Sequence, residues 1–260
     1  ADYNDIDGTS SLIDQVGSDL AGVIVEPILG AGGNIQGNRH FLKMLRQKTK
    51  ETGALLIFDE VKTARLGPAG VQGMVGIEPD LTTIGKFIGG GLPTGAFGGS
   101  AEVMEQFNPK RQGALAHAGT FNNNVLSMAA GCAAMSKIYT PERAAEFLDW
   151  SEKFRLSLNK MFASKEVPMY ANGLGSMIAI HYSSKPTKRP SDITPGCRSL
   201  RPLLHMELLL DGLLICGRGD LFLSLPMNDG HLSETRGALE RFADRYKGLI
   251  EQVLAEDPIA

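Results

Sequence analysis

The chain has 260 residues, with 26 Lys and Arg against 29 Asp and Glu, for a formal net charge of −3. At roughly 150 residues per domain this length suits one large domain, or one large and one small; the weak negative charge argues against nucleic-acid binding. The composition, 43% apolar and 21% charged, excludes a disordered or fibrous chain, and no apolar run reaches the ~18 residues of a membrane-spanning helix.

The opening Ala1-Asp2-Tyr3-Asn4-Asp5 carries acid and lacks the apolar stretch of a signal peptide. Ala21-Gly22-Val23-Ile24-Val25, closed by Glu26-Pro27, reads as a strand buried on both faces. A glycine-rich loop follows over residues 29–37. Asn38 can cap a helix that lines up Phe41, Leu42, Leu45 and Thr49, with Gly53 as its stop. Residues 54–58 form a second buried strand that delivers Asp59 and Glu60 at its carboxyl end. Strand, helix, strand at this spacing is a βαβ unit and implies a parallel sheet. Residues 81–84 and 94–99 read as further short strands.

A helix is expected from Asn123 through Ala133 to Tyr139. Thr140-Pro141-Glu142 then supplies the cap, first position and acidic first turn of a long amphipathic helix, with Phe147, Trp150, Phe154, Leu158 and Met161 as its apolar stripe. Later, residues 177–182 read as a strand and 183–196 as a polar loop. Residues 213–216 and 221–225 read as a hairpin around Gly217-Arg218-Gly219-Asp220, and a last helix presents Leu239, Phe242, Tyr246 and Leu249 on one face. The expected architecture is α/β: part of a large, mostly parallel sheet domain over residues 1–162 and a small α+β domain over 163–260. Cys132, Cys197 and Cys216 form no CxxC pair, which suits a reducing, cytoplasmic setting. The five histidines (His40, His117, His181, His205 and His231) show no metal-ligand spacing, so no metal is expected.

Three features carry chemistry. Asp59 stands at the carboxyl end of a buried strand, where open α/β sheets bind ligands, and a carboxylate there needs a cation or donors to meet it. Lys86, in Ile84-Gly85-Lys86-Phe87-Ile88-Gly89-Gly90-Gly91, follows an apolar strand and is flanked by glycine. That setting points to a desolvated amine with a lowered pKa, usable for Schiff-base chemistry. Gly119-Thr120 precedes a helix and offers N–H groups and a hydroxyl to an anion. A carboxylate, a hidden amine and an anion site together describe a pocket for pyridoxal phosphate.

Glu26-Pro27, the run 56–61, the run 79–86 ending in Gly85-Lys86, the run 89–99 and Gly119-Thr120-Phe121 follow one another in the order seen in class III aminotransferases, and the chain resembles that family, its glutamate-1-semialdehyde aminomutase-like branch in particular. The resemblance implies a fold type I architecture, pyridoxal 5'-phosphate as cofactor, and a homodimer with a shared active site. Lys86 would form the Schiff base and move the proton between Cα and C4′. Asp59 would pair with the pyridinium nitrogen, Val61 would pack on one ring face, and Glu60 would support the site from behind. Thr120, with Gly119, would bind the phosphate held by the neighbouring subunit. The implied reaction moves an amino group from a small amine or amino acid to a keto acid or aldehyde, as aminotransferase or aminomutase. Racemisation on the same cofactor, or a non-catalytic piece acting with a partner chain, are the alternatives.

The sequence also departs from the family. Its members carry a substantial portion ahead of the segment seen here as Tyr3-Asn4-Asp5, holding a phosphate loop and a ring-stacking aromatic. Without it, the sheet is expected to be incomplete and apolar surface exposed. Ala31 follows Gly30 where ornithine-type relatives have Glu. Arg218 is the leading candidate for the substrate carboxylate, with Arg236 the other. Asn123-Asn124-Val125 replaces the family's Gly-Asn-Pro.

Overall fold

The computed structural model describes residues 1–257. In chain order its elements begin with α1 (Ile6–Val16), β1 (Gly22–Val25), β2 (Ile28–Leu29), β3 (Ile35–Gln36), α2 (Arg39–Thr52) and β4 (Leu55–Asp59). Next come α3 (Gly70–Val75), β5 (Leu81–Gly85), β6 (Gly95–Gly99), α4 (Ala101–Met104), α5 (Val125–Ala133) and α6 (Pro141–Ser164). The remainder is β7 (Tyr170–Leu174), β8 (Met177–His181), α7 (Pro195–Ser199), α8 (Arg201–Leu210), β9 (Asp220–Phe222) and α9 (Asp229–Glu256). Two compact units result. The first holds Asp5–Pro27 and Gly37–Ala145; the second holds Ile28–Gln36 and Glu146 onward. The division therefore falls inside α6 and not at 162/163. Of the α6 stripe, Phe147, Phe154, Leu158 and Met161 are all buried.

In the first unit the sheet order is β1-β4-β5-β6, with β1, β4 and β5 parallel and β6 antiparallel. The βαβ reading holds. The Asn38 side chain accepts from His40 N, Gly53 closes α2 in the left-handed region, and Phe41, Leu42, Leu45 and Thr49 are buried. They pack over β4, whose Leu56 and Phe58 are fully covered. One connection ties this layer together. The Asp80 carboxylate accepts from Leu56 N at 2.7 Å and pairs with Arg46 at 2.9 Å.

The expectation of a β1 buried on both faces fails: Ile24 is 63% exposed, and β6 is largely open. The same unit exposes Phe121 (83%), Val125 and Leu126. The uncovered apolar surface expected from the sequence is therefore present.

In the second unit β7, β8 and β9 form an antiparallel sheet, and β8 is buried along its whole length. The glycine-rich stretch is not a plain loop. It contains the short hairpin β2–β3, bound to the sheet by Gln36 Nε2 donating to Gly173 O. Helices α7, α8 and α9 pack on one another. The Trp150 indole donates to Asp229 Oδ1 at 2.7 Å. Residues 213–216 are not a strand. β9 pairs instead with β8, and only the turn survives from the expected hairpin, closed by Gly219 N to Cys216 O and Cys216 N to Asp220 O. Within α9, Leu239 and Phe242 are buried as expected, but Leu249 is exposed and Ile250 takes the inward place. None of the described helices is long and apolar enough to cross a membrane.

Two measurements follow. The chain on its own is expected to bind a hydrophobic dye and to elute from gel filtration ahead of a monomer, because its open apolar face seeks cover; a monomeric, dye-silent, cooperatively melting chain would contradict this. Burial raises the Asp80 pKa, but hydrogen bonds from Arg46 and Leu56 N and the charges of Arg46 and Lys50 outweigh it and hold the carboxyl below its usual range. A depressed carboxyl contributes stability above its unfolded pKa and loses it as pH falls through the folded one. Asp80→Asn should therefore cost about 1–2 kcal/mol at neutral pH, with the difference from wild type shrinking in acid melts.

Candidate active site

Parallel pairing puts the carboxyl ends of β4 and β5 side by side, with Asp59 opposite Thr83. Asp59 Oδ1 accepts from Val61 N at 3.0 Å and from the Thr83 hydroxyl at 3.3 Å. Among the described residues nothing donates to Oδ2, which leaves that oxygen for a ligand. The chain then bends so that Val61 rests on the end of β5: a Cβ built on Gly85 would lie 3.4 Å from Val61 Cγ1. Lys86 follows directly. It opens a 3₁₀ turn, Lys86–Gly89, with φ of 56°, in the left-handed region that side-chain-bearing residues seldom adopt. Strain of this kind gathers at functional positions.

Asp59, Val61 and Lys86 are thus brought to one edge of one sheet. The desolvated lysine expected from the sequence is not seen. Lys86 is exposed, and its amine has no hydrogen-bond or ion-pair partner among the described residues. The glycines around it shape the backbone and leave the side chain open.

Glu60 points the opposite way from Asp59, as strand alternation requires. It is fully buried. Its carboxylate accepts from the Thr63 hydroxyl (2.5 Å), Val71 N (3.1 Å) and Gln72 N (2.7 Å), so it caps the start of α3. Its place next to Asp59 was the sequence signal; its three donors, up to twelve residues away, were not foreseeable.

The lysine turn rests on α5. A Cβ at Gly90 would collide with the Ala130 carbonyl, and one at Gly131 with that of Ile88, so only glycine allows this approach. Ser127 Oγ adds a bond to Pro93 O at 3.0 Å. Behind the turn lies a cavity of about 540 Å³ walled by Ile84, Phe87, Ile88, Met135 and Tyr139. Its walls include neither Asp59 nor Lys86, so it is not the candidate site.

Gly119 and Thr120 are exposed, and no hydrogen bond among the described residues links Thr120 to Asp59, Val61 or Lys86. The helix starts at Val125, five residues past Thr120, and its N–H groups at Leu126 and Ser127 donate to Asn124 Oδ1. The helix also ends sooner than expected, passing into a π-helical turn over Ala134–Ile138. His117 belongs to an aromatic cluster, edge-on to Phe97 at 5.2 Å and near Phe107. Arg218 lies in the second unit, bonded to Asp220. Arg236 is exposed on α9.

Because the left-handed conformation of Lys86 costs a non-glycine residue about 1 kcal/mol, Lys86→Gly should hold or raise the melting temperature. A clear fall would show that the lysine side chain itself stabilises the turn.

The sequence profile of the class III aminotransferases matches residues 5–234. The chain is 42% identical over 248 residues to the beta-phenylalanine transaminase of Variovorax paradoxus, covering 95% of this chain and 57% of that protein. Identity to glutamate-1-semialdehyde 2,1-aminomutase 2 of Geobacillus thermodenitrificans is 38% over 252 residues, with the same coverage of 95% and 57%. Among solved structures, the Variovorax paradoxus beta-phenylalanine aminotransferase superposes with a TM-score of 0.92 over 95% of this chain and 57% of that one. An omega-transaminase from Sphaerobacter thermophilus, 35% identical, gives 0.86 over 92% and 55%. A Pseudomonas aeruginosa glutamate-1-semialdehyde aminomutase shares the fold at 22% identity, with a TM-score of 0.81 over 93% and 55%. The chain therefore spans little more than half the length of these relatives, and it belongs to the class III aminotransferase family, with the fold type I architecture of that family's structures.

Proposed function

We propose that this chain supplies the lysine-bearing half of a pyridoxal phosphate site that transfers an amino group from a small amine or amino acid to a keto acid or aldehyde. The carrying observation is the juxtaposition of Asp59 Oδ2, Val61 and Lys86 at the ends of two neighbouring parallel strands. The donor set fits the cofactor: an acceptor for a protonated ring nitrogen, an apolar side chain for a ring face, and an accessible amine for an aldehyde.

When bound, pyridoxal phosphate supplies an electron-withdrawing ring that makes the Cα–H of an attached amine acidic. Asp59 Oδ2 would accept from the ring nitrogen and keep it protonated, with Val61 N and Thr83 fixing the other oxygen; Val61 would cover one ring face. Lys86 Nζ would hold the cofactor's aldehyde carbon, and the same nitrogen would be the base that moves a proton between Cα and C4′. Glu60 keeps the 60–72 segment closed behind Asp59. Thr120, with Gly119, reaches the phosphate of a neighbouring subunit in a homodimer, which accounts for its exposure and its distance in sequence from the helix start. Arg218 takes a substrate carboxylate. The three free thiols are in keeping with a reducing, cytoplasmic compartment.

Loading with pyridoxal phosphate should turn the protein yellow, and borohydride should fix the cofactor to the peptide containing Lys86. Lys86→Ala should abolish both, and Asp59→Asn should leave the colour but slow amino transfer by at least about a hundredfold. Borohydride labelling that survives Lys86→Ala would refute the assignment. A protein that stays colourless and unlabelled would leave association with a partner chain as its role.

A further inference from the structure

Four cations of α2, Arg39, Lys43, Arg46 and Lys50, follow one another at spacings of four, three and four residues. That rhythm puts them on one face of the helix. The chain as a whole is slightly acidic, at −3, so this positive face is set by position and not by composition.

The two arginines are committed to the fold. Arg39 Nε donates to the carbonyl of Val75, the last residue of α3, at 3.2 Å. Arg46 Nη1 donates to Glu78 O at 3.2 Å, and its Nη2 bonds the Thr49 hydroxyl at 3.1 Å and pairs with Asp80 at 2.9 Å. Together they hold α2 against the segment that joins α3 to β5. The two lysines differ. Lys43 and Lys50 are exposed, and neither amine has a hydrogen-bond or ion-pair partner among the described residues. Lys50 acts on Asp80 only through its charge.

Between the stripe and that segment lies a cavity of about 550 Å³, lined by Lys43, Arg46 and Lys50 from α2 and by Gly73, Gly76 and Glu78 from the facing side. Glycine at two of the facing positions keeps side chains out of it. One donor of the stripe is also left over, because Arg46 Nε is buried without an acceptor among the described residues. Two acids stand nearby. Asp80 is already bonded to Arg46 and Leu56 N. Glu78 is exposed, and its carboxylate has no partner among the described residues. Three cations against one uncommitted acid leave the cavity positive.

Magnitudes decide what it can hold. One exposed lysine improves the binding of an anion by about fivefold at most, and salt screens even that. A singly charged anion on one amine is therefore poorly retained. Lys43 and Lys50 stand two helical turns apart, about 10 Å along the axis. An anion that meets both amines at once must spread its charge and its oxygens over a comparable span, as a chain of phosphoryl groups does.

We propose that the cavity between α2 and the α3–β5 segment is a binding site for a di- or triphosphate group, gripped by Lys43 and Lys50 and backed by Arg46. Neither Asp59 nor Lys86 lines it, so it stands apart from the pyridoxal phosphate reading.

Calorimetry tests this on protein incubated with pyridoxal phosphate and then desalted, so that the cofactor's own phosphate position is filled. The probes, in magnesium-free buffer, are inorganic triphosphate, ATP, orthophosphate and a hexaglutamate peptide. Triphosphate should bind, and orthophosphate should bind about fivefold or more weakly. ATP binding tighter than triphosphate would name a nucleotide as the source; equal binding would name the phosphate chain alone. Lys43→Ala with Lys50→Ala should weaken triphosphate by about tenfold, and Lys43→Arg with Lys50→Arg should retain it. Glu78→Gln removes a like charge and should tighten it. Lys185→Ala with Lys188→Ala, an exposed pair in the second unit, removes the same net charge and should change nothing. The proposal is overturned by the absence of binding heat, by binding of ATP without triphosphate, by tighter binding of hexaglutamate, by an equal loss in the Lys185 and Lys188 control, or by undiminished binding to the alanine pair at 43 and 50. Should that pair not fold, Glu78→Gln decides: unchanged affinity there overturns the site.

Discussion

Two strands that run in the same direction end on the same side of a sheet, and the next residues of each chain are forced into each other's company. That constraint sets Asp59 beside Thr83, lets Val61 fold over Gly85, and leaves Lys86 one step further on. No hydrogen bond joins Asp59 to Lys86, and none is needed. Their nearness is a property of the ladder between β4 and β5. Had β5 run the other way, the same residues would sit a strand length apart.

The two acids that follow Phe58 show how alternation separates duties. Asp59 faces the open edge with one oxygen uncommitted. Glu60, a residue later, faces inward and spends both oxygens on local donors. A buried carboxylate would be costly in isolation, but here it replaces the partners missing at the first turn of α3. The chemistry-bearing acid can stay under-coordinated because its neighbour stabilises the loop around it.

What the sequence revealed depended on range. Asn38 and Gly53 mark the ends of α2 because capping is decided within a few residues, and the apolar run over 54–58 marks β4 because a covered strand needs no alternation. Asp59 and Lys86 were legible for the same reason, as punctuation after apolar runs. Burial was less legible. Lys86 reads as enclosed among apolar and glycine neighbours, yet burial is decided by what packs in space, and the side chain is exposed. Ile24 reads as core for the same reason and is open. Residues 213–216 have strand-like composition, but β8 already has β9 as its partner. Strands of two residues, such as β2 and β3, carry no periodicity to detect. Asp220 is the clearest omission: an acid beside Gly-Arg-Gly looks like solvated turn chemistry until β8 is seen to bury it.

The close approach of Gly90 and Gly131 to opposing carbonyls has a mechanical meaning. Where backbone lies on backbone at these two glycines, no flexible side chain stands between the lysine turn and α5 to absorb a shift. Turn and helix are therefore held at a fixed spacing, and because Val125 and Leu126 stand exposed on the first turn of that helix, a push on that end reaches the seat beneath Lys86 with little cushioning.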